Sequence, residues 1–328
     1  MIVREEPRPD SLRLPVGVRR LIVDIDSGKV LGASRQLGMI GDAMICLAQE
    51  YAGPPAGLSV LLGELVEHLV ATRGASSQAI TNGLHLMSGA ALDRSADEAG
   101  AAPRILDGVH AFRTMLAGWL DDLQTHGAAL LPKTGTVLAY DYSSSVAALL
   151  RGAAASGADL TVVIPEARSL NGGQKYLQEM ARLPVRVRLI PDAAISWALR
   201  ETDSILVGAE TMSLEGGCYN TIGTELLARL AAQTGTPFHV ISILLKVDRS
   251  APTGGHRAIP LLDFAHVAGW DGTPTGAANV DCSFPDLDYT APHLITSIAT
   301  ERGVLTPDEF GHAAEAPATF VPRAGTSK

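Results

Sequence analysis

The sequence lacks the patterns that mark several common classes of protein. Its 328 residues include only three cysteines, Cys46, Cys218 and Cys282, which lie far apart and form no CxxC pair. This spacing argues against a structural zinc site and is typical of a reducing compartment. No run of 18 apolar residues occurs, and the first residues lack the apolar segment of a signal peptide. We therefore expect a cytoplasmic protein.

Charge and motif content argue against further classes. The net charge is −9, so the chain has no overall basic footprint for nucleic acid. The motifs GxGxxG, GxxxxGK[ST] and HExxH are all absent, and the nine histidines are scattered. We expect no cofactor, no metal, and no nucleic-acid or membrane partner. An apolar content of 46% is ordinary for a globular protein, and this length allows one large or two medium domains.

Apolar periodicity divides the chain into two parts and predicts the α/β fold class. Over residues 1–127, apolar residues recur at spacings of three and four, which predicts a mainly helical domain. Over residues 128–310, β-rich runs alternate with helices of about ten residues, which predicts a Rossmann-like domain with a mostly parallel sheet. The pattern also predicts a loop-like segment over residues 251–281, a last helix over residues 292–302 and a disordered tail over residues 311–328.

One stretch combines a strand end, a carboxylate and a glycine pair. The run Ile205-Leu206-Val207 predicts a buried parallel strand; Glu210 follows it, and Gly216, Gly217 and Asn220 lead toward a capped helix. Ligands of open α/β sheets bind at the carboxyl ends of strands, and helix N-termini there favour phosphate. Glu210 therefore suits acid/base work on a phosphorylated substrate, the alternative being that it caps the next turn.

The first strand of the predicted sheet ends in a cluster of polar residues. Asp141 comes directly after it, and Ser143, Ser144 and Ser145 follow at the start of a helix. The three hydroxyls and the free N–H groups of the first helical turn can together bind a phosphate. The alternative is that one serine is simply the N-cap. Asp141 is either a catalytic carboxylate or a second cap.

Other predicted strands are also followed by charged residues. Arg168, next to a helix that starts with glycine, can clamp a phosphate or form a surface ion pair. Asp192 can orient a sugar hydroxyl or cap the following helix. Lys246 can neutralise substrate charge. Cys218 is a potential nucleophile, although an isolated cysteine is more commonly buried and inert.

Five segments, in the same order, resemble one superfamily. They are VVIPEARSLNGGQKYLQEMA, LIPDAAI, ILVGAETMSLEGGCYNTIGTELLA, PFHVISILLKVD and LDYTAPHLITSIATERGVL, and TRGASSQAITNGL, which contains Arg73, resembles a segment of its helical domain. The superfamily comprises the alpha, beta and delta regulatory subunits of translation initiation factor 2B, the methylthioribose-1-phosphate isomerases and the ribose-1,5-bisphosphate isomerases. The resemblance implies a helical domain followed by a Rossmann-like domain, and association into a homodimer or larger homo-oligomer.

The resemblance also implies which positions carry chemistry. Its enzymes convert an aldose 1-phosphate into a ketose phosphate without nicotinamide or metal, typically with a cysteine after the first strand of the second domain and an aspartate after VGA. Here those positions hold Asp141 and Glu210. Thr221 occupies the position of the lysine in the common "NKIGT" motif. Leu31 corresponds to the arginine of the isomerases' "RGA" segment. Arg168 matches the arginine of "ESRP".

The two carboxylates keep acid/base chemistry available. Carboxylates that share a desolvated site have pKa values pushed apart, which leaves one proton donor and one base. We expect an isomerase that acts on a ribose 1-phosphate, with Asp141 and Glu210 as the acid/base pair. The alternatives are a non-catalytic regulatory protein that binds a sugar phosphate or nucleotide, and elimination or hydrolysis of a phosphorylated ribose. The expected ligand-binding residues are Ser143, Ser144, Ser145, Arg168, Gly216, Gly217, Asn220, Lys246 and Arg73.

Overall fold

The chain forms two compact units, joined within one long helix. The computed structural model describes residues 13–26, 32–74, 77–93, 100–249, 259, 261–263 and 281–315. The first unit ends at Gly118 and the second begins at Trp119, inside a helix that spans Ala101–Gly127. The boundary expected from the sequence, after residue 127, lies at the end of that helix rather than at the division between the two units.

The first unit is helical because its apolar residues recur on one face of each helix. In the second helix Leu37, Ile40, Met44 and Leu47 are all fully buried, at spacings of three and four residues. The helices are α1 (Val16–Asp26), α2 (Ala33–Glu50), α3 (Pro55–Leu69), α4 (Gln78–Leu92) and α5 (Ala101–Gly127). The expected helical N-terminal part is confirmed.

The second unit is organised around a mostly parallel sheet. The strands, numbered along the chain, are β1 (Thr134–Tyr140), β2 (Asp159–Pro165), β3 (Arg186–Ile190), β4 (Ser204–Val207), β5 (Thr211–Met212), β6 (Cys218–Thr221), β7 (Phe238–Ile241), β8 (Leu261–Asp263), β9 (Ser283–Pro285), β10 (Leu287–Thr290), β11 (Ser297–Thr300) and β12 (Gly303–Leu305). The central sheet has the order β12-β11-β7-β4-β1-β2-β3, in which only the β11–β12 pair is antiparallel. The predicted α/β class is thereby confirmed.

Helices connect the parallel strands of this sheet. They are α6 (Ser144–Ala155), α7 (Gly172–Met180), α8 (Ile195–Ala198) and α9 (Thr224–Thr234). A further helix, α10 (Pro307–Glu315), follows β12. α9 ends at Gly235, whose φ of 73° gives the left-handed cap that glycine adopts readily. Within the described part of the chain, no helix has both the length and the apolar character needed to cross a membrane.

The helix predicted over residues 292–302 is wrong. Residues Pro292–Leu294 form a single 3-10 turn, and Ser297–Thr300 form strand β11, whose residues are all buried. β11 pairs with β7 on one side and β12 on the other, and the burial of all four of its residues shows that both of its faces are covered. A strand that is buried on both faces shows a continuous apolar run, which periodicity does not separate from a helix.

Two further segments were predicted to lack regular structure. Residues 311–315 of the expected tail belong to α10, which buries Phe310 and Ala314, and the rest of that tail lies outside the described residues. The loop predicted over residues 251–281 lies mainly outside the described residues. Within it, Leu261–Asp263 forms strand β8, which pairs with β9.

The strand order places a topological switch between β1 and β4. From β1 the chain continues outward to β2 and β3, whereas from β4 it continues in the opposite direction to β7 and β11. Loops that leave neighbouring strands in opposite directions open a crevice at the carboxyl edge, where ligands of such sheets bind. The residues that follow β1 and β4 therefore define the position of the candidate site.

Candidate functional site

Asp141 lies at the switch point, directly after β1. Its φ of 52° puts the backbone in the left-handed region, which is uncommon for a residue other than glycine and which aspartate tolerates better than most. The carboxyl oxygen Oδ2 accepts a hydrogen bond of 2.6 Å from Oγ1 of Thr221, a buried residue of β6. The sequence indicated Asp141 but not this partner, because the two residues lie far apart in the chain.

The environment of Asp141 favours its protonated form. Desolvation by burial is the largest cause and raises the pKa of Asp141 to about 6. The hydrogen bonds from Thr221 and from the backbone of Tyr142 act in the opposite direction, whereas the negative charges of Glu210 and Asp286 raise the pKa further. Three carboxyl groups therefore interact here, and one of them holds a proton at mildly acidic pH.

Glu210 follows β4, the neighbour of β1. Residues Tyr140 and Val207 are paired in the parallel register, so both carboxylates come from adjacent strand ends. The Glu210 N–H donates to the carbonyl of Tyr219, which fixes the loop against the β5–β6 hairpin. The predicted acid/base residues are thus close enough for their charges to interact.

Lys246 lies beside this pair, in the 3-10 turn after β7. Its Nζ donates a hydrogen bond to the carbonyl oxygen of Ala209. Burial lowers the pKa of Lys246, while the negative charge of Glu210 acts to raise it. The predicted cation is therefore on the Glu210 side of the site.

The three serines after Asp141 have different environments. Ser143 is the N-cap of α6, and its Oγ accepts a hydrogen bond of 3.4 Å from the Val146 N–H. Ser144 is exposed and Ser145 is half-buried in the first helical turn. Among the described residues, no acceptor bonds the N–H groups of Ser144 and Ser145. One serine caps the helix, as the alternative held, and the first turn keeps donors available for an anion.

Arg168 is on the loop between β2 and α7. The two carboxylate oxygens of Asp192 accept hydrogen bonds of 2.9 Å from the Ala167 and Arg168 N–H groups and so fix this loop. Asp192 thus binds backbone rather than serving only as a helix cap. The Arg168 guanidinium is half exposed, and its Nη1 lies 3.8 Å from Oε2 of Glu166.

Gly216 and Gly217 form the turn of the β5–β6 hairpin. The Gly216 N–H donates to the Ser213 carbonyl, and the Gly217 N–H donates to Ser213 Oγ at 3.0 Å. Gly216 has a φ of 84°, which requires glycine, and a Cβ on Gly217 would overlap the hydroxyl of Tyr289. Both expected phosphate donors are therefore engaged within the turn. The hairpin was not predicted, because a strand of two residues carries no periodicity.

Helix α9 is capped by a carboxyl group that the sequence analysis missed. Asp288 of β10 accepts hydrogen bonds from the Gly223 N–H at 2.7 Å and the Glu225 N–H at 3.0 Å. Asn220 donates from Nδ2 to Thr224 Oγ1 at 3.1 Å, within the same turn. Desolvation raises the pKa of Asp288 to about 6. The start of α9, which we expected to bind phosphate, is occupied by this side chain.

The start of α7 packs directly against Asp141. A Cβ on Gly172, the first residue of α7, would overlap Asp141 Oδ1 and approach the Tyr142 N–H. Tyr142 in turn donates from its hydroxyl to Glu179 at 2.7 Å, and its ring lies 5.3 Å from that of Tyr176. These contacts form a wall beside Asp141 and explain why a glycine starts α7.

Three further residues were singled out from the sequence. Arg73 belongs to the first unit, in the π-helical turn Val70–Gly74, where its Nε donates to Gln36 at 3.4 Å; its ligand role stays a prediction. Cys218 is fully buried, and desolvation raises its pKa to about 12, so it is no nucleophile. Leu31 lies outside the described residues. Within those residues, no three His, Cys, Asp or Glu side chains are placed to hold a metal ion.

Comparison with known proteins gives the family. The Initiation factor 2 subunit family (IF-2B) matches residues 39–307. The chain is 31% identical over 211 residues to ribose 1,5-bisphosphate isomerase of Haloferax volcanii, covering 64% of this chain and 65% of that protein. It is 32% identical over 207 residues to methylthioribose-1-phosphate isomerase of Nitratidesulfovibrio vulgaris, covering 58% of each. The chain thus spans about three-fifths of the length of these curated relatives.

A solved structure supports the same assignment at the level of the fold. Translation initiation factor eIF-2B of Pyrococcus horikoshii OT3 superposes with a TM-score of 0.76 and 21% identity, covering 90% of this chain and 98% of that chain. The resemblance inferred from the five sequence segments is confirmed: this chain belongs to the Initiation factor 2 subunit family.

Proposed function

We propose that this protein isomerises a phosphorylated pentose, converting a ribose 1-phosphate or a substituted relative into the ribulose phosphate. The observation that carries the proposal is the interaction of Asp141 with Glu210 at the switch point, where the charge of one affects the protonation of the other. Two relatives named as isomerases of phosphorylated sugars support it. The protein acts in the cytoplasm as a homodimer or larger oligomer, without metal or nicotinamide.

Asp141 is the first proton donor, because a pKa of about 6 keeps part of this carboxyl protonated near neutral pH. It protonates the ring oxygen O4, and the C1–O4 bond breaks. Glu210 removes the proton from C2, whose electron pair forms the C1=C2 bond. Asp141 then takes the O2 hydroxyl proton while Glu210 returns a proton to C1. A ketone remains at C2, and both carboxyl groups regain their starting states.

The substrate phosphate is held beside the first turn of α6. The N–H groups of Ser144 and Ser145 point along a helix N-terminus, which favours an anion, and the half-exposed guanidinium of Arg168 adds a charge-assisted contact. We assign Gly216, Gly217 and Asn220 to the hairpin and the α9 cap rather than to the ligand. The phosphate is thereby separated from the Lys246 side of the site.

The test of this function is ketose formation from a defined panel. Ribose 1-phosphate, ribose 1,5-bisphosphate and methylthioribose 1-phosphate are incubated separately with the protein, and products are followed by ¹H and ³¹P NMR. We expect ketose from at least one compound, and a loss of roughly 10²- to 10⁴-fold in Asp141→Asn and Glu210→Gln. Asp121→Asn, an exposed carboxylate on α5, is the matched control. No ketose from any compound contradicts the proposal.

A non-catalytic sugar-phosphate sensor is the second candidate. It is favoured by the replacement of the superfamily's usual cysteine with Asp141 and by the fold shared with an initiation factor. It predicts no ketose, together with thermal stabilisation by the same sugar phosphates. The stabilisation should be lost in Arg168→Ala and kept in Arg229→Ala, whose arginine pairs with Glu225 on the surface of α9.

A further inference from the structure

Lys246 is a partly buried cation whose ammonium group has unused hydrogen-bonding capacity. Its Nζ donates to the carbonyl oxygen of Ala209, the residue immediately before Glu210. An ammonium group has three N–H donors. Within the part of the chain that the structure describes, Nζ has no second hydrogen-bond acceptor and no carboxylate oxygen within 4.0 Å. Two of its donors are therefore available to a bound molecule.

The strand order brings Lys246 to the base rather than to the proton donor. β7, which precedes Lys246, pairs with β4, which precedes Glu210. Asp141 follows β1, on the other side of β4. The charge of Glu210 acts on Lys246, although Nζ lies more than 4.0 Å from the Glu210 carboxylate oxygens, so a space separates these two groups. An atom of the substrate that Glu210 deprotonates lies within reach of that space.

Among the residues that the structure describes at the site, no other group supplies a comparable charge. Thr221 is neutral and donates its hydroxyl proton to Asp141. Arg168 is half exposed, and its guanidinium lies 3.8 Å from Glu166. A charge that is removed from water acts more strongly on a nearby developing charge than an exposed one does. Lys246 is the cation placed to act on the reacting carbons.

On the basis of the proposed function, we propose that Lys246 is a catalytic residue that donates hydrogen bonds to O2 of the sugar as its hydroxyl proton leaves. In that step, negative charge develops on O2 between the loss of its proton and formation of the C2 ketone. An ammonium fixed by the Ala209 carbonyl is already oriented and needs no rearrangement when the charge appears. The role extends the acid/base scheme without changing the fate of any proton.

The test compares Lys246→Met and Lys246→Gln with the wild type, using the ribose 1-phosphate that the wild type isomerises. We expect kcat to fall by about 10²- to 10³-fold in both variants, with KM changed less than about threefold. Lys133→Met removes an exposed lysine before β1 and is the matched control, with kcat unchanged. Lys246→Met leaves the Ala209 carbonyl without its donor and can lower the melting temperature, whereas Lys246→Gln keeps a donor for that carbonyl, so a fall of kcat in both variants is not explained by lost stability.

Two outcomes overturn this inference and are distinguishable from failure of the proposed function. If the wild type is active and Lys246→Met retains kcat while KM rises, Lys246 is a phosphate ligand. If both kinetic constants are unchanged, it has no catalytic role. If the wild type forms no ketose, the proposed function fails and the catalytic assignment of Lys246 fails with it.

Discussion

Thr221 Oγ1 donates a 2.6 Å hydrogen bond to Asp141 Oδ2, and this contact joins the end of β1 to strand β6 of the smaller sheet. The bond favours the ionised carboxylate, whereas burial favours the protonated form and has the larger effect. Asp141 therefore titrates near pH 6 rather than near its ordinary value of 3.8. Thr221 limits how far the pKa of the proton donor can rise.

Removal of this hydroxyl should shift the pH dependence of catalysis. In the wild type, kcat/KM should decline as pH rises through about 6, where Asp141 loses its proton. Thr221→Val keeps the shape of the side chain but removes the donor, so the pKa of Asp141 rises and the alkaline limb moves upward by about one pH unit. Thr221→Ser keeps the donor and should keep the wild-type profile. If the alkaline limb of the kcat/KM profile is the same in Thr221→Val as in the wild type, Asp141 is not the acid whose titration that limb reports.

Asp141→Asn should stabilise the protein at high pH. The folded-state pKa of Asp141 is raised, so the carboxyl favours folding while protonated and loses that advantage as pH rises through about 6. Asparagine cannot ionise, so the variant does not lose this stability as pH rises. The free energy of unfolding of Asp141→Asn minus that of the wild type should therefore be about 2–3 kcal/mol larger at pH 8 than at pH 4. Thermal and urea unfolding at both pH values measure this difference. A difference that does not grow with pH contradicts the desolvated state of Asp141.

Gly172→Ala should damage the site through contact with Asp141. The added Cβ overlaps Asp141 Oδ1, so the carboxyl has to move away from Thr221. We expect activity to fall at least about tenfold and stability to fall by about 1–3 kcal/mol. Gly152→Ala in α6 is the control, since a Cβ there meets no neighbour within 4 Å and should stabilise the helix by about 0.5–1 kcal/mol. Equal effects of the two substitutions would show that Gly172 does not constrain Asp141.

Much of the fold could be predicted because its signals are local. The buried spacing in α2 and the apolar runs of β1 and β4 are visible within windows of a few residues. The strand β11 was misread because a short apolar run has no period that separates a strand from a helix. The β5–β6 hairpin was missed because β5 has only two residues.

The carboxylates of the site were predictable, but their partners were not. Asp141 and Glu210 each follow a recognisable strand, which is a local pattern. The partners Thr221 and Asp288 act through hydrogen bonds between segments far apart in the chain. Gly216 and Gly217, which we expected to bind phosphate, donate their N–H groups to Ser213 instead. Which N–H groups stay available for a ligand depends on tertiary contacts that no single segment encodes.

The most direct test of proton transfer by Asp141 and Glu210 is isomerisation in D₂O. The wild type is incubated with its ribose 1-phosphate substrate, and the ketose is analysed by ¹H NMR and mass spectrometry. Because Glu210 carries the transferred proton on an exchangeable carboxyl, we expect deuterium at C1 of the ketose. In Glu210→Gln, ketose and deuterium should both form roughly 10²- to 10⁴-fold more slowly. Ketose formed at the wild-type rate without any deuterium at C1 would indicate a hydride shift and contradict the carboxylate mechanism.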